Sequence, residues 1–425
     1  MSGIDGKQEV VTPTVAIIAN AVTPYRVHLH QRFAREIPEV AIKTIFTHDI
    51  SNSPWAPSPP QEISPVMFGR GESCDAQTDP RRALHEWHKG GQIIDYLRSQ
   101  GVRAVVTNGY NDLGRLRIIR WCGRHNLPVF IWGDANALLD RPGPVKALIK
   151  KAVVSQVVRI CTGVMVCGQR GREFFLRYGA TPERIYYVPV EADYDQINQV
   201  TPQQVADALR RFNLPPARRR IIYSGRLVRE KRIDLLLNAF QQIAPKRLEW
   251  DLVIVGDGPL RTQLQGMVPR ELTARVFWTG FLDNQPLVSA LYRAGDVLVL
   301  PSDFDQWAVV IIEAAAAGLA IVASAVVGAA VELVRDGVNG FTFVPGDLQQ
   351  LTRCLRDVTD PERIAVFKAS SLRVLAEWRQ RADPVKGLRQ ALIDSGVISG
   401  AGTGGAAADG AGIVVDPSAI TGRAT

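Results

Sequence analysis

Residues 296–324, DVLVLPSDFDQWAVVIIEAAAAGLAIVAS, leave few ways for this chain to fold. Asp296 opens an apolar run, Val297 to Leu300, of the length of a buried strand. Pro301, Ser302 and Asp303 supply turn chemistry. An alanine-rich helical pattern follows from about Trp307 to Ala317, and Gly318 stands where a helix-ending glycine belongs. Ala320 to Ala323 is a second apolar strand. A strand, a helix and a strand in so short a span predict two parallel strands joined by a crossover helix. The unit carries two carboxylates, Asp305 in the loop and Glu313 in the helix. Taken alone they are ordinary, one an acid near a helix start and the other a solvated helix face.

The same alternation recurs along the chain and predicts an α/β protein with parallel sheets. Strands are expected at 14–19, 40–46, 104–107, 129–132, 164–166 and 185–190, then at 219–224, 252–255, 275–278 and 297–300. At 425 residues the chain exceeds what one hydrophobic core usually holds. Residues 1–13 are expected to form a flexible start, 14–195 a first domain and 196–218 a linker region ending in LPPARRR. Residues 219–370 are expected to form a second domain and 371–395 closing helices. From 396 a Gly/Ala-rich tail is expected to be disordered.

A net charge of +8 favours anionic partners such as nucleotides or an anionic membrane surface. No aromatic–basic pattern of a nucleic-acid reader accompanies it. Five scattered cysteines lack metal-site spacing and are expected to be reduced. The first residues lack the apolar core of a secretory leader, and no run is long enough to span a membrane. A cytoplasmic location is therefore expected. In 142–160, Val145, Leu148, Ile149, Ala152 and Val153 recur at helical spacing beside Lys146, Lys150, Lys151 and Arg159. This is either a domain helix with one buried face or a basic amphipathic helix lying peripherally on an anionic membrane.

Three turns of the second half follow parallel strands and should meet on one sheet edge. The first, Ser224 to Arg232 (SGRLVREKR), offers Gly225, Arg226 and Lys231 at a helix start, which is phosphate chemistry. The second is VGDGP at 255–259, with Gly256. The third is the opening unit, extended by Gly328, Glu332 and DGVNGF at 336–341. Cations and helix N–H groups suit a diphosphate, and carboxylates suit paired sugar hydroxyls. Together they point to a sugar nucleotide.

These residues resemble the retaining glycosyltransferases of the GT-B fold, family 4 (glycosyl transferases group 1). The pattern G-R-L-x-x-E-K is met by Gly225, Arg226, Leu227, Glu230 and Lys231, V-G-x-G-P by 255–259, and a G-F turn by Gly280 and Phe281. The E-x7-E stretch is met by Pro301, Ser302, Glu313, Ala314, Ala316, Gly318 and Val322 to Ser324. The resemblance is dense over 220–347. It continues more thinly through T-P-Y-R-V at 23–27, W-G-D at 132–134, R-I-Y-Y-V-P at 184–189 and the closing segment 378–392. Arg232, Asp305 and Ala308 depart from it, standing where the family has glycine, glutamate and glycine.

The resemblance implies two Rossmann-like doubly wound domains facing each other across a cleft, with a C-terminal helix returning to the first. It implies a hexosyltransferase that uses a nucleotide-diphosphate sugar, retains anomeric configuration and needs no metal or other cofactor. The acceptor would be a glycan or lipid-linked molecule in polysaccharide or glycolipid biosynthesis. Arg226 and Lys231 would hold the diphosphate, with Gly225 and Gly256 beside it, and Glu313 the ribose. Asp305 would hold the transferred sugar. The N–H groups of Trp307, Ala308 and Val309 would face the distal phosphate, and Gly280, Phe281 and Leu282 would edge the base. Arg26 and Asp134 would lie on the acceptor side. Two other readings stay open, a transfer-inactive nucleotide-sugar-binding subunit and a nucleotide-sugar epimerase.

Overall fold

All pairings between the strands named below are parallel. The computed structural model describes residues 12–51 and 59–400. The expected N-terminal start up to residue 11, the middle of the Pro/Ser-rich loop and the tail from 401 lie outside the described residues.

The first sheet is built from β1 (Thr14–Ala19), α1 (Pro24–Glu36), β2 (Ala41–Phe46), β3 (Val66–Met67), α2 (Ala83–Ser99) and β4 (Val102–Asn108). It continues through α3 (Leu113–Arg124), β5 (Val129–Gly133), α4 (Pro144–Ile160), β6 (Gly163–Val166), α5 (Gln169–Arg177) and β7 (Ile185–Tyr187). The strand order is β3-β2-β1-β4-β5-β6-β7, so the chain reverses direction beside β1. Such switch points open a crevice at the carboxyl ends of the strands.

Next come α6 (Tyr194–Asn198) and α7 (Pro202–Arg211). The second sheet follows as β8 (Arg219–Ser224), α8 (Ile233–Ile243), β9 (Trp250–Val255), α9 (Arg261–Gly266), β10 (Val276–Gly280), α10 (Gln285–Arg293) and β11 (Val297–Leu300). It ends with α11 (Val309–Ala316), β12 (Ala320–Ser324), α12 (Ala330–Leu333) and β13 (Gly340–Phe343), followed by α13 (Leu348–Val358), α14 (Ile364–Arg381) and α15 (Pro384–Asp394). Its order, β10-β9-β8-β11-β12-β13, has a second switch point beside β8. The opening unit is β11–α11–β12, with Val297 in register with Ala320 and Gly318 at φ 77° after the helix.

The linker region 196–218 also packs, with Ile197, Ala208 and Leu214 buried in the core of the second sheet. Three details differ from the sequence reading. The return crossing falls at Ala382–Asp383, since Ala382 packs in the second core while Val385, Leu388 and Leu392 pack against the first sheet. Ile398 packs there too, so order extends past 396. On α4 the burial is rotated: Val154, Val157 and Val158 are buried, whereas Val145, Leu148, Ile149 and Val153 are exposed. No helix among the described residues is long and apolar enough to cross a membrane.

Arg32 of α1 ties the two crossings to the first domain, pairing with the buried Glu191 and lying 3.4 Å from Asp383. Trp307 adds a cross-domain contact, its indole N–H donating to the Val190 carbonyl at 2.7 Å.

Candidate functional site

The turns after β8, β9 and β10 interlock through their glycines. Gly256 has φ 133°, and a Cβ there would lie 2.0 Å from the Gly225 carbonyl oxygen. Its N–H donates to the Gly280 carbonyl at 3.1 Å. Only glycine lets three backbones pass this closely. The Tyr223 hydroxyl donates to the Arg226 carbonyl at 2.9 Å, fixing the arginine's backbone while its side chain stays exposed.

Beyond Arg226 a short 3-10 turn, Arg229–Lys231, brings Lys231 under the loop after β11. Its ammonium lies 2.5 Å from the Asp305 carboxylate, with both side chains mostly buried. Arg232, standing where the family has glycine, is left-handed at φ 50°. Its guanidinium bridges Asp234 at 3.1 Å and Asp303 at 3.0 Å, contacts a glycine could not make. Ala308 repeats the substitution at φ 69°, directly before α11, without such contacts. The expected helix start at Trp307 is therefore corrected to Val309. The left-handed residue turns the chain there, and the Trp307 side chain runs to the other domain.

Glu313 is buried on α11. Gln285 Nε2 donates to one carboxylate oxygen at 2.9 Å and the Tyr292 hydroxyl to the other at 3.0 Å. Burial pushes its carboxyl up, and the two donors oppose that shift. Each oxygen keeps a lone pair for a further hydroxyl donor.

Two adjoining cavities fill the crevice. One, of about 600 Å³, is walled largely by apolar groups, including Phe281, Leu282, Val288 and Val310, with Glu313 at its side and Tyr25 and His28 from α1 opposite. The other, of about 610 Å³, is polar and holds Lys231, Asp305, Trp307 and Ala308 against Arg26, Asn108 and Asp134 of the first domain. Arg226, Val309 and Tyr25 line both. All the residues expected from the sequence on the donor side thus meet here except Gly280, which supports the turn from behind. Burial by the surrounding walls pushes the Asp134 carboxyl up, although the side chain opens into the crevice; Arg26 opposes this and Asp305 adds to it. With its amide oriented as its neighbours require, Asn108 accepts from Arg26 at 3.2 Å and 3.3 Å.

Tyr25, His28, Asn108, Gln285 and Tyr292 were not foreseen. The available signal was topological, since Asn108 ends β4 and Tyr25 lies in the first turn of the helix that follows β1, the two strands at the first switch point. In the first domain His48, Glu72 and Glu86 converge, but the Lys89 ammonium already sits among them, 2.8 Å from Glu72 and 3.0 Å from Glu86.

The solved structure of Anabaena Alr3699/HepE in complex with UDP and glucose superposes over 91% of this chain and 100% of its own, with a TM-score of 0.66 and 17% identity. WaaG, a glycosyltransferase involved in lipopolysaccharide biosynthesis, superposes over 91% and 100%, with a TM-score of 0.63 and 14% identity. The fold is that of the GT-B glycosyltransferases. Within this GT-B chain, residues 218–360, from just before β8 to just after α13, match the family model of the glycosyl transferases group 1. The sequence is also similar to alpha-D-kanosaminyltransferase of Streptomyces kanamyceticus, 27% identical over 50% of this chain and 55% of that protein. D-inositol 3-phosphate glycosyltransferase 1 of Catenulispora acidiphila is 27% identical over 73% of this chain and 72% of its own. The chain spans about half the length of several curated relatives, 55% of the kanosaminyltransferase and 51% of the 2-deoxystreptamine glucosyltransferase of the same organism. These relatives are glycosyltransferases.

Proposed function

We propose that the chain transfers a hexose from a nucleotide-diphosphate sugar to a glycan or lipid-linked acceptor, retaining anomeric configuration and using no metal ion. One observation carries the reading: Arg226, which has no ion pair among the described residues, lies where the apolar and polar cavities join, with the Lys231–Asp305 pair just beyond. That is where a diphosphate joining a nucleoside to a sugar has to lie.

In this reading the base rests against Phe281 and Leu282, and Glu313 accepts from ribose hydroxyls. Arg226 and Lys231 meet the phosphates, and the start of α11 adds a positive dipole end. Asp305 holds sugar hydroxyls, and the acceptor enters past Asp134 and Arg26. As the anomeric C–O bond breaks, charge grows on the departing phosphate oxygen. The two cations stabilise it in place, a role a metal ion plays elsewhere. The acceptor hydroxyl bonds through its oxygen on the face the nucleotide leaves, and its proton passes to the departing phosphate. The UDP complexes of HepE make UDP-sugars the first donors to test. The acceptor's pathway is polysaccharide or glycolipid synthesis at the cytoplasmic face of a membrane, which the exposed aliphatic residues of α4 would touch.

The test is turnover of common nucleotide sugars by the full chain, Lys231→Ala and Glu313→Ala. Loss in both variants supports the assignment, and undiminished turnover in both removes it. Donor binding without transfer or hydrolysis across acceptors would instead favour a binding subunit.

A further inference from the structure

A cavity of about 410 Å³ opens away from the crevice, between α4, α5 and the start of β6. Lys151, Arg159, Arg177 and Arg184 line it, with the hydroxyls of Ser155 and Thr181 among them. Lys151, Arg159 and Arg184 form no ion pair among the described residues, and Arg159 donates only to the amide oxygen of Gln156, at 3.2 Å. Arg177 lies 3.7 Å from Asp140, but Lys150 approaches that carboxylate more closely, at 2.6 Å. The concavity is thus cationic with almost no internal compensation. Hydroxyls beside unpaired guanidinium and ammonium groups suit a phosphate, whose oxygens accept from both.

The cavity adjoins the rotated surface of α4. Positions 148, 151, 155 and 159 follow one another at helical spacing, so Leu148 heads the side of the helix whose later turns are Lys151, Ser155 and Arg159. Leu148 is 73% exposed, and Val145 and Ile149 flank it at 72% and 59%. Three aliphatic side chains in water, continuous with an uncompensated basic hollow, match the boundary between acyl chains and anionic headgroups.

We propose that this cavity binds the phosphate of an anionic phospholipid while Val145, Leu148 and Ile149 enter the acyl boundary. The proposal rests on the membrane-contact reading above and deepens it to a headgroup site. It makes α4 a two-part anchor, with an apolar tip and a phosphate-binding side.

The experiment is co-sedimentation of the full chain with vesicles of phosphatidylcholine alone and with about a third phosphatidylglycerol. The variants are Lys151→Gln, Arg184→Gln, Leu148→Ser and, as a control on the same helix outside the cavity, Lys146→Gln. Wild type is expected to prefer the anionic vesicles. Each cavity variant should lose about fivefold in partitioning to them, the value of one well-placed cation, and Lys146→Gln less than twofold. Leu148→Ser should weaken binding to both vesicle types. Equal losses in Lys146→Gln and the cavity variants would overturn the site in favour of diffuse attraction. Thermal stabilisation by glycerol 3-phosphate without vesicle binding would overturn the lipid assignment in favour of a soluble phosphate ligand. A urea melt, run in parallel, reports folding of each variant. Turnover by wild type separates the two readings: vesicle discrimination with no turnover of any common nucleotide sugar would leave the anchor standing and remove the transferase.

Discussion

The ammonium of Lys231 lies 2.5 Å from the carboxylate of Asp305, joining the turn after the first strand of the second sheet to the turn after its fourth. One group suits a phosphate and the other a sugar hydroxyl, so under the proposed function the pair would mark the boundary between leaving group and transferred group. Lys231→Ala removes the cation and leaves Asp305 uncompensated. Turnover with the preferred nucleotide sugar is expected to fall by about 10²–10³-fold, the usual loss when one preorganised charge-stabilising group is deleted. Steady-state kinetics checks this, and Lys231→Arg should recover part of the rate.

Gly256→Ala should destabilise the second domain by about 1–3 kcal/mol. The new methyl would meet the Gly225 carbonyl oxygen at 2.0 Å, and φ 133° admits few side chains. A urea melt gives the stability. Donor affinity should fall as well, because Gly225 carries the backbone into Arg226.

Ala308 carries left-handed strain with no side-chain contact to offset it, unlike Arg232. Relief of about 1 kcal/mol in the folded state outweighs the smaller entropy that glycine adds to the unfolded chain. Ala308→Gly should therefore raise the urea midpoint slightly. Ala308→Val should lower the midpoint, at a cost of more than about 1 kcal/mol of stability, since a β-branched residue fits this conformation worst.

Acid should destabilise the first domain through Glu86. Burial alone would raise its pKa, but hydrogen bonds from His48 and Lys89 outweigh it and hold the carboxyl down to about 2, against an ordinary value of 4.5. A depressed carboxylate contributes stability above its unfolded pKa, and that contribution is lost as pH falls from about 4.5 toward 2. Urea midpoints measured across this range should decline, and Glu86→Gln should flatten the decline.

The parallel sheets were legible because buried strands read as short, continuous apolar runs between turn residues. β1 was placed at 14–19, the limits it has in the fold. The convergence of these glycines, cations and carboxylates on one crevice was legible because all of them follow strands. Partners distant in sequence were not. The Trp307 indole bonds to the Val190 carbonyl, and nothing near either residue announces the other. Val145, Leu148 and Ile149 have helical spacing, but spacing alone does not say which side of a helix meets the core. Arg232 and Ala308 were visible as missing glycines, and only backbone geometry showed that the left-handed turns survive the replacement.

The two chain crossings give the molecule a mechanical property. A single tether would let one half swivel in any direction. Here Glu191 and Asp383, one on each crossing, are gripped by the same guanidinium, that of Arg32. Two tethers held side by side make the line between them an axle. Two connections held side by side resist twist across that line more than one would, and so help the facing walls of the crevice keep their alignment.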